Sequence, residues 1–219
     1  MSSTTKRRLK IYLPIAIAVI LVGIIIAIIL LNNRITAKDY FDALNNSNYT
    51  KQVQNTTITE NETLIYEKIE TIIFDGDNVY HKIEEKQLSS DLDKDYDETT
   101  TEFYYSKDKM YYFENNVWNT EAFTVSKKLK TYELKTDYFK TIKFNKKIES
   151  EGHLQGEIRN DCVEKIVSNA ELHSMTLLIV VNKDFDVQKF NINAKTSSSR
   201  DVEITNIYTY VNETVVLPA

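Results

Sequence analysis

The sequence predicts an α+β protein, a large antiparallel sheet carried behind an N-terminal transmembrane helix. Three observations predict it. Ile11 to Leu31 is an apolar run without a single charge. Alternating segments flank turn-forming clusters such as Asp75-Gly76-Asp77-Asn78. A few stretches instead place their apolar residues at helical spacing.

At ~1.5 Å per residue, the run 11–31 spans the roughly 30 Å hydrocarbon core of a bilayer as a helix. Lys6, Arg7, Arg8 and Lys10 precede it, and no acidic residue occurs before Asp39. The positive-inside rule then keeps residues 1–10 in the cytoplasm as a basic tail and sends 32–219 across the membrane as one extracytoplasmic domain. The run is longer than a signal peptide's apolar region, and Leu30-Leu31-Asn32-Asn33-Arg34 offers no small-x-small cleavage site. Cys162 is the only cysteine, so neither an N-terminal lipid nor an internal disulfide is expected. The expected localisation is the cell membrane, as a single-pass signal-anchor protein.

Thr36-Ala37-Lys38-Asp39 reads as a capping box opening a short helix to about Asn46, with Ala37, Tyr40, Phe41 and Leu44 on one face. Residues 47–62 are rich in Asn and Thr and read as a loop or a frayed first strand. Leu64–Phe74 and Val79–Leu88 form a hairpin, as do Thr99–Tyr105 and Lys109–Phe113 around Ser106-Lys107-Asp108. A short segment holding Trp118 follows. Between 120 and 146 the period reads as helical, through Ala122, Val125, Leu129 and Tyr132, then Tyr138, Phe139 and Ile142. Asp161-Cys162-Val163-Glu164 reads as a second capping box, with Val163, Ile166 and Val167 facing inward. Met175–Val181 is apolar on both faces, and Val187–Lys195 and the strand from Val202 to Tyr210 each alternate apolar with polar.

Four of the 27 Lys and Arg lie in the first ten residues, so the remainder carries a net charge of −9. That balance excludes nucleic acid as a partner of the domain. Heavy use of Lys, Asn, Ile and Tyr, with four Gly and two Pro, suits a low-GC bacterium. Asp91, Asp93 and Asp95 with Glu102 match positions 1, 3, 5 and 12 of a calcium loop, but Tyr96 replaces its turn glycine and the flanks read as strands. The stretch therefore reads as a solvated hairpin tip, and no metal is expected. His81, His153 and His173 are scattered, and Cys162 reads as an ordinary buried residue. No nucleophile elbow, phosphate loop or dinucleotide fingerprint occurs, so neither an enzyme nor a cofactor is expected.

The opening helix Ala37–Leu44, the turn in Phe74-Asp75-Gly76-Asp77-Asn78-Val79-Tyr80 and the aromatic run Phe103 to Phe113 followed by Trp118 set a recognisable texture. Leu178-Ile179-Val180-Val181-Asn182-Lys183-Asp184 and the terminal Val215-Val216-Leu217-Pro218 complete it. Over about residues 35–219 this resembles the lipoprotein-carrier superfamily, the half-barrel shared by periplasmic lipoprotein chaperones and mycobacterial lipid-carrying lipoproteins. The resemblance implies a curved antiparallel sheet whose concave apolar side is covered by helices, here 120–146 and 161–169, over a hollow that accepts acyl chains. Arg34, Arg159 and Arg200 are the only arginines beyond the anchor, and none matches the carrier's functional arginine.

Phe103, Tyr111, Phe113, Trp118, Ile179, Phe190 and Ile192 are the expected lining of such a hollow. Two readings follow. In one, the domain is a non-catalytic binding module for a lipid or other hydrophobic ligand, held at the membrane by 11–31. In the other, the same aromatic strands fill their own core, and the domain is an envelope structural or protein-interaction unit with an envelope protein as partner. The anchor excludes a freely diffusing shuttle under either, and the short linker Asn32–Arg34 keeps any cargo handling within reach of the membrane.

Overall fold

The computed structural model describes residues 35–89, 96–114, 116–123, 132, 134–167 and 171–218, together with Val22. The expected span 11–31 and basic tail 1–10 lie outside these residues apart from Val22. Among the described residues, no helix is long and apolar enough to cross a membrane. The chain divides between Thr36 and Ala37, and the fold below is that of the second part.

A first meander contains β1 (Lys51–Glu60), β2 (Thr63–Asp75), β3 (Asn78–Leu88), β4 (Tyr96–Ser106), β5 (Lys109–Glu114) and β6 (Val117–Ala122). A second contains β7 (Phe139–Phe144), β8 (Glu151–Ile158), β9 (Leu172–Asn182), β10 (Val187–Thr196) and β11 (Asp201–Thr209). They join as one open antiparallel sheet in the order β6-β5-β4-β3-β2-β1-β11-β10-β9-β8-β7. Sheets beyond about ten strands rarely stay open without curling, which is consistent with a half-barrel.

That order has a consequence for the connection after β6. β6 and β7 lie at opposite edges, so the chain crosses over between them, and Phe123, Tyr132 and 134–138 are the described residues of that crossover. Phe123 packs on Tyr105 of β4 with ring centroids 5.2 Å apart, and Tyr132 packs edge-on against Phe190 of β10 at 4.6 Å. Both contacts are on one face of the sheet, called the inner face below.

Helix α1 (Ala37–Asn46) buries Ala37, Tyr40, Phe41 and Leu44, the four residues expected from their spacing. Phe41 stacks on Phe139, and the Tyr40 ring meets those of Phe144 and Phe185. Asn45 ties α1 to the crossover, its Nδ2 donating to the Tyr132 carbonyl (2.9 Å) while its Oδ1 accepts from the Tyr132 N–H (3.0 Å). Asn45→Ala removes both bonds from a part-buried site and should destabilise the fold by about 1–3 kcal/mol. Urea unfolding of the full chain measures this.

Three expectations are corrected. Residues 51–60 are a full central strand, because β-branched Thr fits a pleated surface and the polar inward side chains find partners. Gln52 Nε2 donates to Oδ1 of the fully buried Asn206 across the β1–β11 ladder (2.8 Å). The stretch 120–146 is not helical where described: β6 runs to Ala122, a single 3₁₀ turn covers Thr136–Tyr138, and β7 follows. The register shifts between Phe139 and Thr141, so Phe139, Ile142 and Phe144 all face inward, opposite Ile158, Gly156 and Leu154. A β-bulge thus copies the three-residue step of a helix. Val125 and Leu129 lie outside the described residues. Finally, Cys162 caps the four-residue helix α2 (Val163–Ile166) without a side-chain hydrogen bond. Asp161 pairs with Arg159 at 2.7 Å instead of capping, although Val163 and Ile166 are buried as expected.

β8 has no forecast in the sequence. Its inward positions are Gly152, Leu154, Gly156 and Ile158, and two glycines dilute the apolar alternation. Both are required by close packing. A Cβ on Gly156 would collide with the Phe139 ring, and one on Gly152 with Ile148 and the Tyr40 hydroxyl.

Candidate functional site

Residues directly opposite one another in an antiparallel ladder share a face of the sheet. One row runs Phe190, Asn206, Gln54, Glu70, Ile83, Thr101 across six strands. Phe103 and Tyr105 continue the face of Thr101, so they share the inner face with Ile179, Phe190 and Ile192. Tyr111, Phe113 and Trp118 have the opposite parity and stand on the outer face. The structure therefore does not gather the seven expected lining residues at one place. Runs such as Phe103-Tyr104-Tyr105 and Tyr111-Tyr112-Phe113 put aromatic rings on both faces, since strand side chains alternate.

The inner face has two halves of different character. Along β7–β11 it is filled, with Leu154, Ile158, Ile179, Phe190 and Ile192 completely buried. Along β1–β4 burial is only partial: Ile83, Phe103 and Tyr105 are half-buried, with Gln52, Ile72 and Val79 buried exceptions near one end. This half also carries charge. Glu70 Oε1 lies 3.3 Å from His81 Nε2, and its Oε2 lies 3.2 Å from Lys68 Nζ and 3.4 Å from Gln54 Nε2. Beside them the Tyr66 hydroxyl donates to Glu85 at 2.9 Å. Burial, then the hydrogen bond to Glu85, pushes the Tyr66 hydroxyl up to about 12. The half-face thus offers apolar rings and aliphatic chains around a fixed group of charges, a surface for a molecule with an apolar body and a polar end.

The hydrogen bond from His81, opposed by partial burial and aided by Lys68, holds the Glu70 carboxyl below its ordinary value. A depressed carboxyl stabilises the folded state at pH values above its unfolded pKa, and that contribution disappears as pH falls through the folded one. Acid unfolding of the full chain should accordingly show a shallower loss of stability below about pH 5 for Glu70→Gln than for the parent.

Outside, the aromatic residues form a continuous ladder. Centroid separations are 5.0 Å for Tyr80–Tyr104, 5.4 Å for Tyr104–Trp118 and 5.3 Å for Trp118–Phe113, and Tyr111 stands directly opposite Tyr104. A groove of about 170 Å³ on β2–β4 is lined by Glu67, Glu84, Glu85 and Glu98 among others. Its carboxylates suit an apolar ligand poorly. Asp91, Asp93 and Asp95 lie outside the described residues, while Glu102 accepts a 3.0 Å hydrogen bond from Tyr80. His153 pairs with Glu151 at the surface, His173 is exposed, and Cys162 is buried with Lys165 Nζ 3.9 Å from its sulfur.

Sequence reasoning missed Gln54, Lys68, Glu70 and His81. In β2, Tyr66, Lys68, Glu70 and Ile72 share one face while Glu67, Ile69, Thr71 and Ile73 share the other. Both faces are mixed, so polarity alone could not choose the inner one. The cross-strand register supplies the missing signal.

No family model and no curated protein matches the chain. It is similar to several solved structures. LprF from Mycobacterium bovis is 14% identical, with 84% of this chain and 98% of that one covered, at a TM-score of 0.43. Lipoprotein LppX from Mycobacterium tuberculosis is 11% identical, with 83% and 95% covered, at 0.40. A LolA superfamily protein from Nitrosomonas europaea is 11% identical, with 82% and 96% covered, at 0.29. Likeness at this level says nothing of what this chain binds.

Proposed function

We propose that this protein is a non-catalytic, membrane-tethered extracytoplasmic module that holds a lipid or another hydrophobic ligand against the inner face of β1–β4. The tether is the uncharged run 11–31. The observation that supports the reading is the contrast between the two halves of one face. Phe190 and Ile192 are sealed by the protein's own side chains, whereas Ile83, Phe103 and Tyr105 are left half-covered. Half-covered apolar side chains gain free energy when a ligand excludes water from them, about 25 cal/mol per Å². The Lys68–Glu70–His81 group supplies polar contacts to the same ligand.

The filled half favours the second reading, a self-packed envelope domain with a protein partner, but only for β7–β11. A ligand is therefore assigned to the first meander alone. Photolabelling of the full chain with a diazirine fatty acid, followed by peptide mapping, tests this. Labels are expected on the inward positions of β2–β4. Labels confined to the outer aromatic ladder, or none at all, would count against the assignment.

A further inference from the structure

An open sheet must protect its edges, because an unpaired strand presents a row of donors and acceptors to any other chain. Among the described residues this sheet has three such stretches, and they are protected unequally. β7 carries exposed Lys140 and Lys143. The first part of β4 is unpaired on one side, because β5 meets it only from Phe103 to Ser106. That stretch carries Asp97, Glu98 and Glu102. β6, Val-Trp-Asn-Thr-Glu-Ala, has a single charge, no proline and no lysine. Exposed apolar side chains lie at the same edge, Phe113 at 53%, Val117 at 60% and Phe123 at 42%, while Ile207, Val211 and Val216 are exposed elsewhere.

We infer that β6 pairs antiparallel with β6 of a second copy of this chain, joining two sheets edge to edge across a two-fold axis. The sequence of the strand is compatible with its own copy, which argues for a second copy as the occupant. A two-fold axis normal to the sheet keeps each face continuous, so every residue must oppose one of its own parity. With the axis at Asn119, Val117 opposes the second copy's Glu121, and Trp118 opposes Thr120. With the axis at Thr120, Trp118 opposes Ala122, and Asn119 opposes Glu121. In neither register does the lone carboxylate meet its own copy, so no like charges face each other. In the first, the two Trp118 rings become diagonal neighbours, within the ~7–8 Å reach of aromatic pairs. The outer ladder Tyr80–Tyr104–Trp118–Phe113 then continues from one copy into the next. The lysines of β7 and the carboxylates of β4 disfavour the same pairing at those edges.

The test uses the full chain in detergent, with sedimentation equilibrium and single-cysteine crosslinking. The native Cys162 is buried and serves as background. The parent should sediment at twice the monomer mass. Asn119→Cys or Thr120→Cys should form a disulfide dimer under mild oxidation, because residues at the axis come within the ~4.4–6.8 Å Cα separation a disulfide needs. Lys143→Cys on β7 should not. Asn119→Lys with Thr120→Lys should return the mass to that of a monomer without altering the circular dichroism of the sheet. A monomeric parent overturns the inference. So does a dimer that survives the double lysine variant, or crosslinking at both 119 and 120 no greater than at 143.

Discussion

Replacing Phe190 by alanine is expected to destabilise the protein by about 3–5 kcal/mol. Its ring is completely buried, takes the edge of Tyr132 at 4.6 Å, and stands opposite Ile179 on β9 and Asn206 on β11. Phe190 therefore supports the sheet and the crossover together. Removing it opens a cavity on β10 that only backbone movement could close. It also loosens a contact that holds Tyr132 on the sheet. Phe113→Ala, at an exposed outer position, should change stability by no more than about 0.5 kcal/mol. Denaturant unfolding of the two variants side by side separates the filled half-face from the outer ladder.

The second large effect concerns binding. Ile83→Glu combined with Phe103→Glu puts two carboxylates among the apolar side chains of the first meander's inner face. Each removes an apolar contact of about 1.5–3 kcal/mol at full burial. Affinity for a fluorescent fatty-acid probe should fall at least roughly tenfold, the equivalent of about 1.4 kcal/mol. Both positions are half-exposed, so the new charges keep access to water and the unfolding midpoint should fall less than for Phe190→Ala. The same pair of changes at Tyr111 and Phe113 on the outer face should leave probe affinity unchanged.

What could be read from the sequence follows from how local its signal is. The faces of α1 and the hairpin around Gly76, whose φ of +61° suits glycine, depend on neighbours a few residues away. Strands β10 and β11 alternate strongly because one side is core, and β9 reads as a strand from its unbroken apolar run. β1, β7 and β8 resisted for separate reasons. Gln52 and Gln54 make β1 polar on the face where a core strand should be apolar, and the compensating Asn206 is far along the chain. The bulge in β7 disguised a strand as a helix. The glycines of β8 make room for Phe139 and Tyr40, residues no local window contains.

The candidate site was legible only in part, because a lining is a property of register across many strands. Aromatic density was visible from Phe103 to Trp118, but the ladder divides it between two faces. Phe103 shares its face with the half-buried Ile83, while Tyr111, Phe113 and Trp118 stand behind it. Ile179, Phe190 and Ile192 share the inner face but belong to its filled half. Glu70, Lys68 and Gln54 drew no attention in the sequence, since a charged residue in a strand usually faces solvent, and His81 read only as one of three scattered histidines.

The central claim is that the first meander holds an exchangeable hydrophobic ligand. Native mass spectrometry of the full chain, released from detergent, tests it most directly. The account predicts a population heavier than the polypeptide by the mass of one acyl species, reduced in the Ile83→Glu, Phe103→Glu variant and retained in Phe113→Ala. A spectrum of empty protein alone, after purification from its own membranes, would contradict it.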